Sequence, residues 1–319
     1  MNDLFEQIKD AQTIAIGGHI RPDGDCVGAC VGLYLYLLKN YPDKHVSVYL
    51  DYVPQEFLFL KGTDAVESAD GVDKTYDLFI SLDCGDLSRL GAARTLFEQA
   101  EATVSVDHHI TNEMFAGTNL VEADRSSTSE FLYEFLEPDR IDTDIATALY
   151  TGIIFDTGVF RHSNTSRRTM EIAGNLMEYG VEHWKIIDES FDQKTYIQNQ
   201  ILGRCLLESI LVLDGSLIVS CVTQKTMDFY GATPDDLDGV VDQLRTTKGV
   251  EVALLIYETG VQEYKVSMRS NGAVDVSAIG AFFGGGGHKK AAGCTMRGSI
   301  YDVINNLTKH IEEQLLNKA

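Results

Sequence analysis

Side chains that suit metal ions follow short apolar segments of this sequence at four places. The six residues concerned are His19, Asp23 and Asp25 in GGHIRPDGD, Asp83 in LFISLD, His108 in VSVDHHI and Asp156 in GIIFDTG. In a parallel sheet the carboxyl ends of neighbouring strands share one edge, and ligands collect beyond that edge. A chain that gathers residues over 100 positions apart in this way is predicted to have an α/β fold.

The first 190 residues alternate strand-like and helical segments, which is typical of a parallel sheet with helices on both faces. The predicted strands are Thr13–Gly18, Val46–Leu50, Leu78–Asp83, Thr103–Asp107 and Asn119–Glu122. The predicted helices are Asp25–Leu38, Ser127–Leu136, Asp144–Phe155, Arg168–Tyr179 and Glu182–Phe191. Residues 1–190 are therefore expected to form a catalytic, metal-binding domain.

The pattern changes beyond this point. Gln193–Glu208 is predicted to be one connecting helix, so that residues 191–209 form a linker. Four segments of residues 210–319 are predicted as antiparallel strands, namely Ile210–Leu213, Ser216–Val222, Val250–Glu258 and Glu263–Arg269. Helices are predicted at Pro234–Arg245, Val274–Phe283 and Ser299–Leu316. Residues 210–319 are expected to form a smaller α/β domain with a mixed sheet.

The charge and composition of the chain limit its partners. Its net charge is −22, of which residues 1–209 carry −19 and residues 210–319 carry −3. A broad acidic field repels long polyanions, so long duplex nucleic acid is not an expected partner. The sequence has no apolar stretch of the roughly 20 residues that span a bilayer. Its six scattered cysteines include no C-x-x-C pair, which indicates reduced thiols in a cytoplasmic protein.

The four clusters together have the ligand types of a binuclear metal site. Two imidazoles and four carboxylates can hold two divalent cations about 3.5–4 Å apart, an arrangement that recurs in enzymes that hydrolyse phosphate esters. Mixed ligands of this kind favour Mn²⁺, with Mg²⁺, Co²⁺ or Fe²⁺ as substitutes. A capped loop with an unrelated histidine is the alternative for the first cluster. In Asp107-His108-His109, one histidine can bind a metal while Asp107 fixes its ring, and the other histidine can meet the substrate.

A glycine run in the last third of the chain indicates an anion-binding loop. Residues 284–287 are four glycines, and His288, Lys289 and Lys290 follow them. The backbone N–H groups of such a run can turn towards one anion, and His288 can donate to a phosphate oxygen. Arg269, at the end of a predicted strand, can reach the same anion or stack on a base. A flexible linker is the alternative, which the apolar flanks AIGAFF and AAGCTM disfavour.

These motifs resemble those of a known family. HIRPDGD, SLDCGD, VDHH and FDTG resemble the four motifs of the DHH phosphoesterase superfamily, and SMRS with FGGGGHKKAAG resembles its DHHA1 substrate domain. The resemblance implies that one metal is held by His19 and Asp23, a second by Asp25, His108 and Asp156, and both by Asp83. It implies that Asp107 orients His108 and that His109 acts near the scissile phosphate. The substrate-binding residues that it implies are Arg269, Gly285, Gly286, Gly287 and His288.

The resemblance is to stand-alone bacterial nanoRNases and pAp phosphatases in particular. It implies a two-metal, manganese-dependent phosphodiesterase that degrades short 5′-phosphorylated oligoribonucleotides, dinucleotides such as pApA best, and that removes the 3′-phosphate of pAp. Hydrolysis of cyclic di-AMP is the alternative activity, and a nucleotide-binding sensor without catalysis is the alternative outside enzymes. The expected partners are short RNA, pAp or cyclic dinucleotides and no membrane, and a homodimer is left open. The expected cofactors are two Mn²⁺ ions, with Mg²⁺ or Co²⁺ as substitutes.

Overall fold

The computed structural model describes residues 3–317. The chain forms two compact units, and the division falls between Gln193 and Lys194. Each unit has its own six-stranded sheet and its own hydrophobic core. All six cysteines are free thiols. Within residues 3–317, no helix combines the length and the hydrophobicity needed to cross a membrane.

A parallel sheet forms the centre of the first unit. Its strands are β1 (Thr13–Gly17), β2 (His45–Tyr49), β3 (Val66–Glu67), β4 (Leu78–Leu82), β5 (Ala102–Asp107) and β6 (Thr118–Val121). They lie in the order β3-β2-β1-β4-β5-β6, and every pairing is parallel. The strand order reverses between β1 and β4. Open α/β sheets bind ligands in the crevice beyond such a switch point.

Helices cover both faces of this sheet. They are α1 (Asp3–Asp10), α2 (Gly24–Asn40), α3 (Arg94–Gln99), α4 (Thr128–Tyr133), α5 (Thr143–Asp156), α6 (Arg167–Glu178) and α7 (His183–Ile187). Successive strand residues point to opposite faces, so Ile14 packs into the larger core, which includes residues of α2, α4 and α5. Its neighbour Ala15 packs into the smaller core, which includes Leu96 of α3.

Two glycines allow α2 and α5 to approach closely. A Cβ atom at Gly28 would lie 2.5 Å from the carbonyl oxygen of Ala148 and 2.9 Å from the backbone nitrogen of Gly152. Any side chain at Gly28 would force the two helices apart. Asp25 precedes Gly28 by about one helical turn, and Asp156 follows Gly152 by about one turn. The close contact therefore brings the beginning of α2 and the end of α5 to the same place.

The second unit is built on a mixed sheet. Its strands are β7 (Ile210–Val212), β8 (Leu217–Val222), β9 (Val252–Gly260), β10 (Glu263–Ser270), β11 (Gly286–His288) and β12 (Ala291–Arg297), in the order β11-β12-β10-β9-β8-β7. Its helices are α8 (Tyr196–Leu207), α9 (Gln224–Tyr230), α10 (Val240–Arg245), α11 (Val276–Phe282) and α12 (Ile300–Leu316). The pairings are antiparallel except that of β8 with β9, which is parallel.

The predicted α/β class, with a parallel sheet followed by a mixed sheet, is confirmed. The prediction that β8 and β9 are antiparallel is wrong, because the connection between them contains α9 and α10 and is long enough for the crossover that a parallel pair requires. The helix predicted over Pro234–Arg245 is interrupted at Gly239, whose φ is 76°. The helix predicted as a linker is α8, which packs Ile201 and Cys205 into the core of the second unit.

Candidate metal centre

Three adjacent strands end at the candidate centre. His19 follows β1 by two residues, Asp83 directly follows β4, and His108 directly follows β5. Because β1, β4 and β5 are neighbours in the sheet, their carboxyl ends bring these side chains together. Asp83 has a left-handed backbone conformation with a φ of 55°. This conformation is uncommon outside glycine, and strained residues of this kind cluster at functional sites.

The carboxylate of Asp83 faces an imidazole on each side. Its Oδ2 lies 3.4 Å from Nε2 of His19, and its Oδ1 lies 3.6 Å from Nε2 of His108. Metal–ligand bonds of about 2.0–2.2 Å place neighbouring ligands of one ion roughly 3–3.6 Å apart. The distance from each oxygen of Asp83 to the nearby Nε2 atom is therefore the distance expected between two ligands of one ion. This is the geometry expected of a carboxylate shared by two ions.

The remaining carboxylates divide between the two imidazoles. Oδ2 of Asp23 lies 3.7 Å from Nε2 of His19. Oδ2 of Asp156 lies 3.0 Å from Nε2 of His108, and Oδ2 of Asp25 lies 4.0 Å from the same atom. All six predicted ligands thus come together, and they form the two groups that the family resemblance implies.

Both imidazoles turn the same ring nitrogen towards the carboxylates. Nδ1 of His19 donates to the backbone oxygen of Ile20 at 2.8 Å, and Nδ1 of His108 lies 3.3 Å from the backbone oxygen of Arg125. When the imidazole is neutral, a hydrogen bond from Nδ1–H to a carbonyl leaves the lone pair on Nε2. Metal-binding histidines are commonly fixed in this way. The two Nε2 atoms are therefore prepared to act as ligands.

The cluster holds more carboxylates than its own cations can balance. Burial lowers the pKa of His19, but hydrogen bonds to Asp23 and Asp83 outweigh this and raise it to about 12. The pKa of His108 is raised to about 10 by its carboxylate neighbours, despite burial. Burial raises the pKa of the Asp25 carboxyl well above its usual range. Because metal ligands must be deprotonated, protons and cations compete for these atoms.

The donor set fits hard divalent cations. Donor atoms of Asp25, His108 and Asp156 all lie within 4.8 Å of one another, and so do donor atoms of His19, Cys26 and Asp83. Burial and a hydrogen bond with Cys30 raise the pKa of the Cys26 thiol well above its usual range. A buried, protonated thiol is a poor ligand. Oxygen and imidazole donors therefore dominate the site, which suits Mn²⁺ or Mg²⁺ better than a thiophilic metal.

Asp107 contacts His109 and not His108. Oδ1 of Asp107 lies 2.7 Å from Nδ1 of His109. Residues two positions apart on an extended segment point to the same side, whereas the residue between them points to the other side. The prediction that Asp107 orients His108 is therefore wrong for this geometry. Nδ1 of His108 instead lies near the backbone oxygen of Arg125.

A third residue extends the pair formed by Asp107 and His109. The amide of Asn112 donates to Oδ2 of Asp107 at 2.6 Å and to the backbone oxygen of Cys84 at 3.2 Å. Burial raises the pKa of Asp107, but its hydrogen bonds with His109 and Asn112 bring it below the usual value. The hydrogen bond to Asp107 in turn raises the pKa of His109. Sequence analysis missed Asn112, for which the only signal was an amide shortly after VDHH.

In the second unit, the sheet register brings two of the predicted substrate-binding residues to one level. Arg269 pairs with Ala291, and Ala291 pairs with His288 on the edge strand β11. Residues directly opposite in a sheet point to the same face, and strands two apart are about 10 Å apart. The small side chain of Ala291 leaves space between them. Nε of Arg269 donates to Oδ1 of Asp242 at 3.0 Å, and Nη1 donates to the backbone oxygen of Met268 at 3.2 Å, which uses two of its five N–H donors.

The predicted convergence of four glycine N–H groups on one anion is wrong for the first two glycines. The N–H of Gly284 donates to the carbonyl of Ala281, and that of Gly285 donates to the carbonyl of Gly280. Gly284 has a φ of 77°, and a left-handed glycine commonly ends a helix in this way. Gly286 and Gly287 belong to β11 and pair with β12. β11 is at the edge of the sheet, so its outer backbone groups remain open to a ligand.

Comparison with known proteins identifies the family. The DHH family N-terminal domain matches residues 13–153, and the DHHA1 domain matches residues 214–317. The bifunctional oligoribonuclease and PAP phosphatase NrnA of Thermus thermophilus is 30% identical over 315 residues, which cover 95% of this chain and 90% of that protein. The chain belongs to the DHH/DHHA1 phosphoesterase family.

One further relative and one solved structure are also similar to this chain. NrnA of Bacillus subtilis is 26% identical over 302 residues, 92% of each chain. The crystal structure of an exopolyphosphatase-related protein from Bacteroides fragilis has the same fold, with a TM-score of 0.87 at 23% identity, and the match covers 99% of this chain and 96% of that chain. The family resemblance predicted from the motifs is confirmed. The matched DHH segment contains five of the six donors, and the sixth, Asp156, lies three residues beyond it.

Proposed function

We propose that this DHH/DHHA1 chain is a two-metal phosphodiesterase that degrades short 5′-phosphorylated oligoribonucleotides to mononucleotides, with dinucleotides such as pApA as the best substrates, and that it removes the 3′-phosphate of pAp. The observation that carries the proposal is the position of Asp83, whose two oxygens face two separate imidazoles. The names of the relatives that match along most of the chain support the substrate class. The proposed metal is Mn²⁺, and the proposed location is the cytoplasm.

The six proposed ligands would form two cation sites that share Asp83. His19 and Asp23 would hold one cation, Asp25, His108 and Asp156 would hold the other, and Asp83 would contact both. When bound, the pair of divalent cations supplies a nucleophile from water and neutralises charge on the phosphoryl oxygens. The six donors come from three strand ends, the first turn of α2 and the end of α5, so the framework fixes their positions before substrate binds.

His109 is the proposed proton donor to the leaving oxygen. Its Nδ1 is engaged by Asp107, so Nε2 is the ring nitrogen that can carry a proton to the substrate. The hydrogen bond to Asp107 raises the pKa of His109, which favours the protonated ring that can donate. Asn112 holds the other oxygen of Asp107 and so fixes the plane of the carboxylate.

The second unit is proposed to bind the 5′-phosphate end of the substrate. Arg269 offers a guanidinium that suits a phosphate, and His288 lies at the same level of the same sheet face. Gly286 would admit the substrate close to the backbone, because a Cβ atom there would have no neighbour within 4 Å. A Cβ atom at Gly285 or Gly287 would instead meet the backbone of β12 within 3 Å, so these two glycines are required by the close approach of the two strands.

An activity panel tests this function. The purified chain is incubated with Mn²⁺ or Mg²⁺ and with pAp, pApA, pGpG, cyclic di-AMP or a long single-stranded RNA, and the products are separated by chromatography. We expect turnover of pApA to AMP and release of phosphate from pAp, with little turnover of the long RNA. Intact pApA and pAp would refute the proposal. Hydrolysis of cyclic di-AMP faster than pApA would favour the alternative activity, and rapid hydrolysis of the long RNA would refute the length preference.

A further inference from the structure

The segment that leads into α4 and the first residues of this helix are buried beside the candidate metal centre although their side chains are polar. The four residues Ser126, Ser127, Thr128 and Ser129 are each 0% exposed. Oγ of Ser127 accepts the N–H of Glu130 at 3.0 Å and so caps the helix. The first N–H groups of a helix have no partner within it. Those of Thr128 and Ser129 therefore require acceptors from elsewhere in the fold.

Asp25 provides these acceptors. The N–H of Thr128 donates to Oδ2 of Asp25 at 2.6 Å, and the N–H of Ser129 donates to Oδ1 at 2.9 Å. With both oxygens engaged, the carboxylate of Asp25 cannot rotate without breaking a buried hydrogen bond. Each oxygen has a second lone pair, and Oδ2 lies 4.0 Å from Nε2 of His108. The helix thus fixes the orientation of one predicted ligand.

Thr128 also contacts the carboxylate that lies between the two ligand groups. Its Oγ1 donates to Oδ1 of Asp83 at 3.1 Å. This is the oxygen that lies 3.6 Å from Nε2 of His108. Thr128 therefore donates to two carboxylates from different elements, through its backbone to Asp25 and through its hydroxyl to Asp83. Nδ1 of His109 lies 3.6 Å from the same Oδ1 of Asp83, which is beyond hydrogen-bond distance.

We propose that Thr128 is a positioning residue of the binuclear centre, whose hydroxyl holds Asp83 in the orientation that shares it between two cations. The inference rests on the two-metal function proposed above. The terminal torsion of an aspartate is broad and nearly two-fold, so a carboxylate without this donor can turn towards one imidazole and leave the other. Partners of this kind typically change metal affinity by about 10–100-fold when they are removed.

A purely structural role for the hydroxyl is the competing explanation, and a matched control separates the two. Thr151 is also 0% exposed, and its Oγ1 donates to the backbone oxygen of Thr147 at 2.8 Å within α5. Thr128→Val and Thr151→Val each remove one buried hydroxyl and keep the shape of the side chain. Only the first removes a donor to a proposed metal ligand. Thr128→Ser retains the hydroxyl and serves as the rescue.

The experiment measures Mn²⁺ binding to the full chain without substrate. Metal-free protein is titrated with Mn²⁺, free Mn²⁺ is followed by electron paramagnetic resonance, and thermal unfolding is recorded for each variant. We expect two sites in the wild type and a loss of about 10–100-fold in the weaker affinity in Thr128→Val. Thr128→Ser and Thr151→Val are expected to bind as the wild type does. The magnetic coupling between two bound ions should also decrease in Thr128→Val.

Two outcomes would overturn the inference, and they are distinguishable. Two wild-type sites with unchanged affinities in Thr128→Val would refute the role of Thr128 and leave the proposed function intact. Fewer than two sites in the wild type would refute the binuclear centre itself. Thr128→Ala, which puts no γ-methyl group against Asp83, is measured in parallel. If Thr128→Val or Thr128→Ala folds and binds Mn²⁺ with the affinities of the wild type, the proposal is refuted.

Discussion

Two adjacent histidines have different partners, and their proposed roles follow from this difference. Nε2 of His108 faces three carboxylates, and its Nδ1 lies near a backbone oxygen. Nδ1 of His109 forms a hydrogen bond with Asp107, and the side chain is half-buried, with a third of it exposed. The first is proposed to bind a cation and the second to exchange a proton with a substrate. Consecutive side chains on an extended segment point to opposite sides, so the two neighbouring histidines have different environments.

His109→Gln should separate catalysis from metal binding. General acid–base catalysis contributes about 10²–10⁴-fold to rate, so we expect kcat for pApA to fall by about this factor, with two Mn²⁺ ions still bound. Steady-state kinetics and equilibrium dialysis measure the two quantities. His45→Gln, at an exposed position on β2, is the control and should leave both unchanged. Loss of one Mn²⁺ ion in His109→Gln would assign this histidine to the ligands instead.

At the scale of elements, the strand ends were predictable and the partners across the fold were not. Apolar runs followed by His19, Asp83 and His108 located the site, because strand periodicity is a local property of the sequence. The contact of Thr128 with Asp83 depends on how α4 packs against α2, α5 and β5, and no local sequence pattern reports that packing. Strand β11 was missed because two of its three residues are glycines and two more glycines precede it, a composition that usually indicates a loop rather than an edge strand.

The fit between α4 and α5 depends on the absence of a side chain at Gly152. A Cβ atom there would lie 2.0 Å from Oγ of Ser129 and 2.7 Å from Oδ1 of Asp25. Gly152→Ala should therefore lower the free energy of unfolding by about 1–3 kcal/mol through overpacking and weaken Mn²⁺ binding by displacing Asp25. Urea denaturation and a Mn²⁺ titration measure these effects.

Gly174→Ala is the matched control for this substitution. Gly174 lies within α6, and a Cβ atom there would have no neighbour within 4 Å. Alanine is favoured over glycine in a helix by up to about 1 kcal/mol, so this variant should be slightly more stable and bind Mn²⁺ normally. Equal stability of the two alanine variants would contradict the packing argument.

At the scale of the whole molecule, the two units divide the proposed tasks. All six donors lie before Gln193, where the first unit ends, whereas Arg269 and His288 belong to the second unit. The acidic charge is concentrated in the first part of the chain, so cations at the centre and the basic residues of the second unit are both needed to attract an anionic substrate. Family membership and fold class could be predicted from motifs, because these are short and local in sequence.

A fragment of residues 1–193 tests this division. It should bind two Mn²⁺ ions, because it contains every proposed ligand and the larger core of the first unit. Its KM for pApA should rise by about 10-fold or more, since a hydrogen bond to a charged group contributes about 1.5–3 kcal/mol. Arg269→Gln in the full chain should raise KM in the same direction with Mn²⁺ binding unchanged. A folded fragment with wild-type KM would contradict a role of the second unit in substrate binding.

Anomalous diffraction from crystals grown with Mn²⁺ tests the central claim most directly, because it locates each cation without reference to activity. The account predicts two anomalous peaks about 3.5–4 Å apart, one beside His19 and one beside His108, with one oxygen of Asp83 towards each. A single peak, or peaks away from these residues, would contradict the binuclear centre.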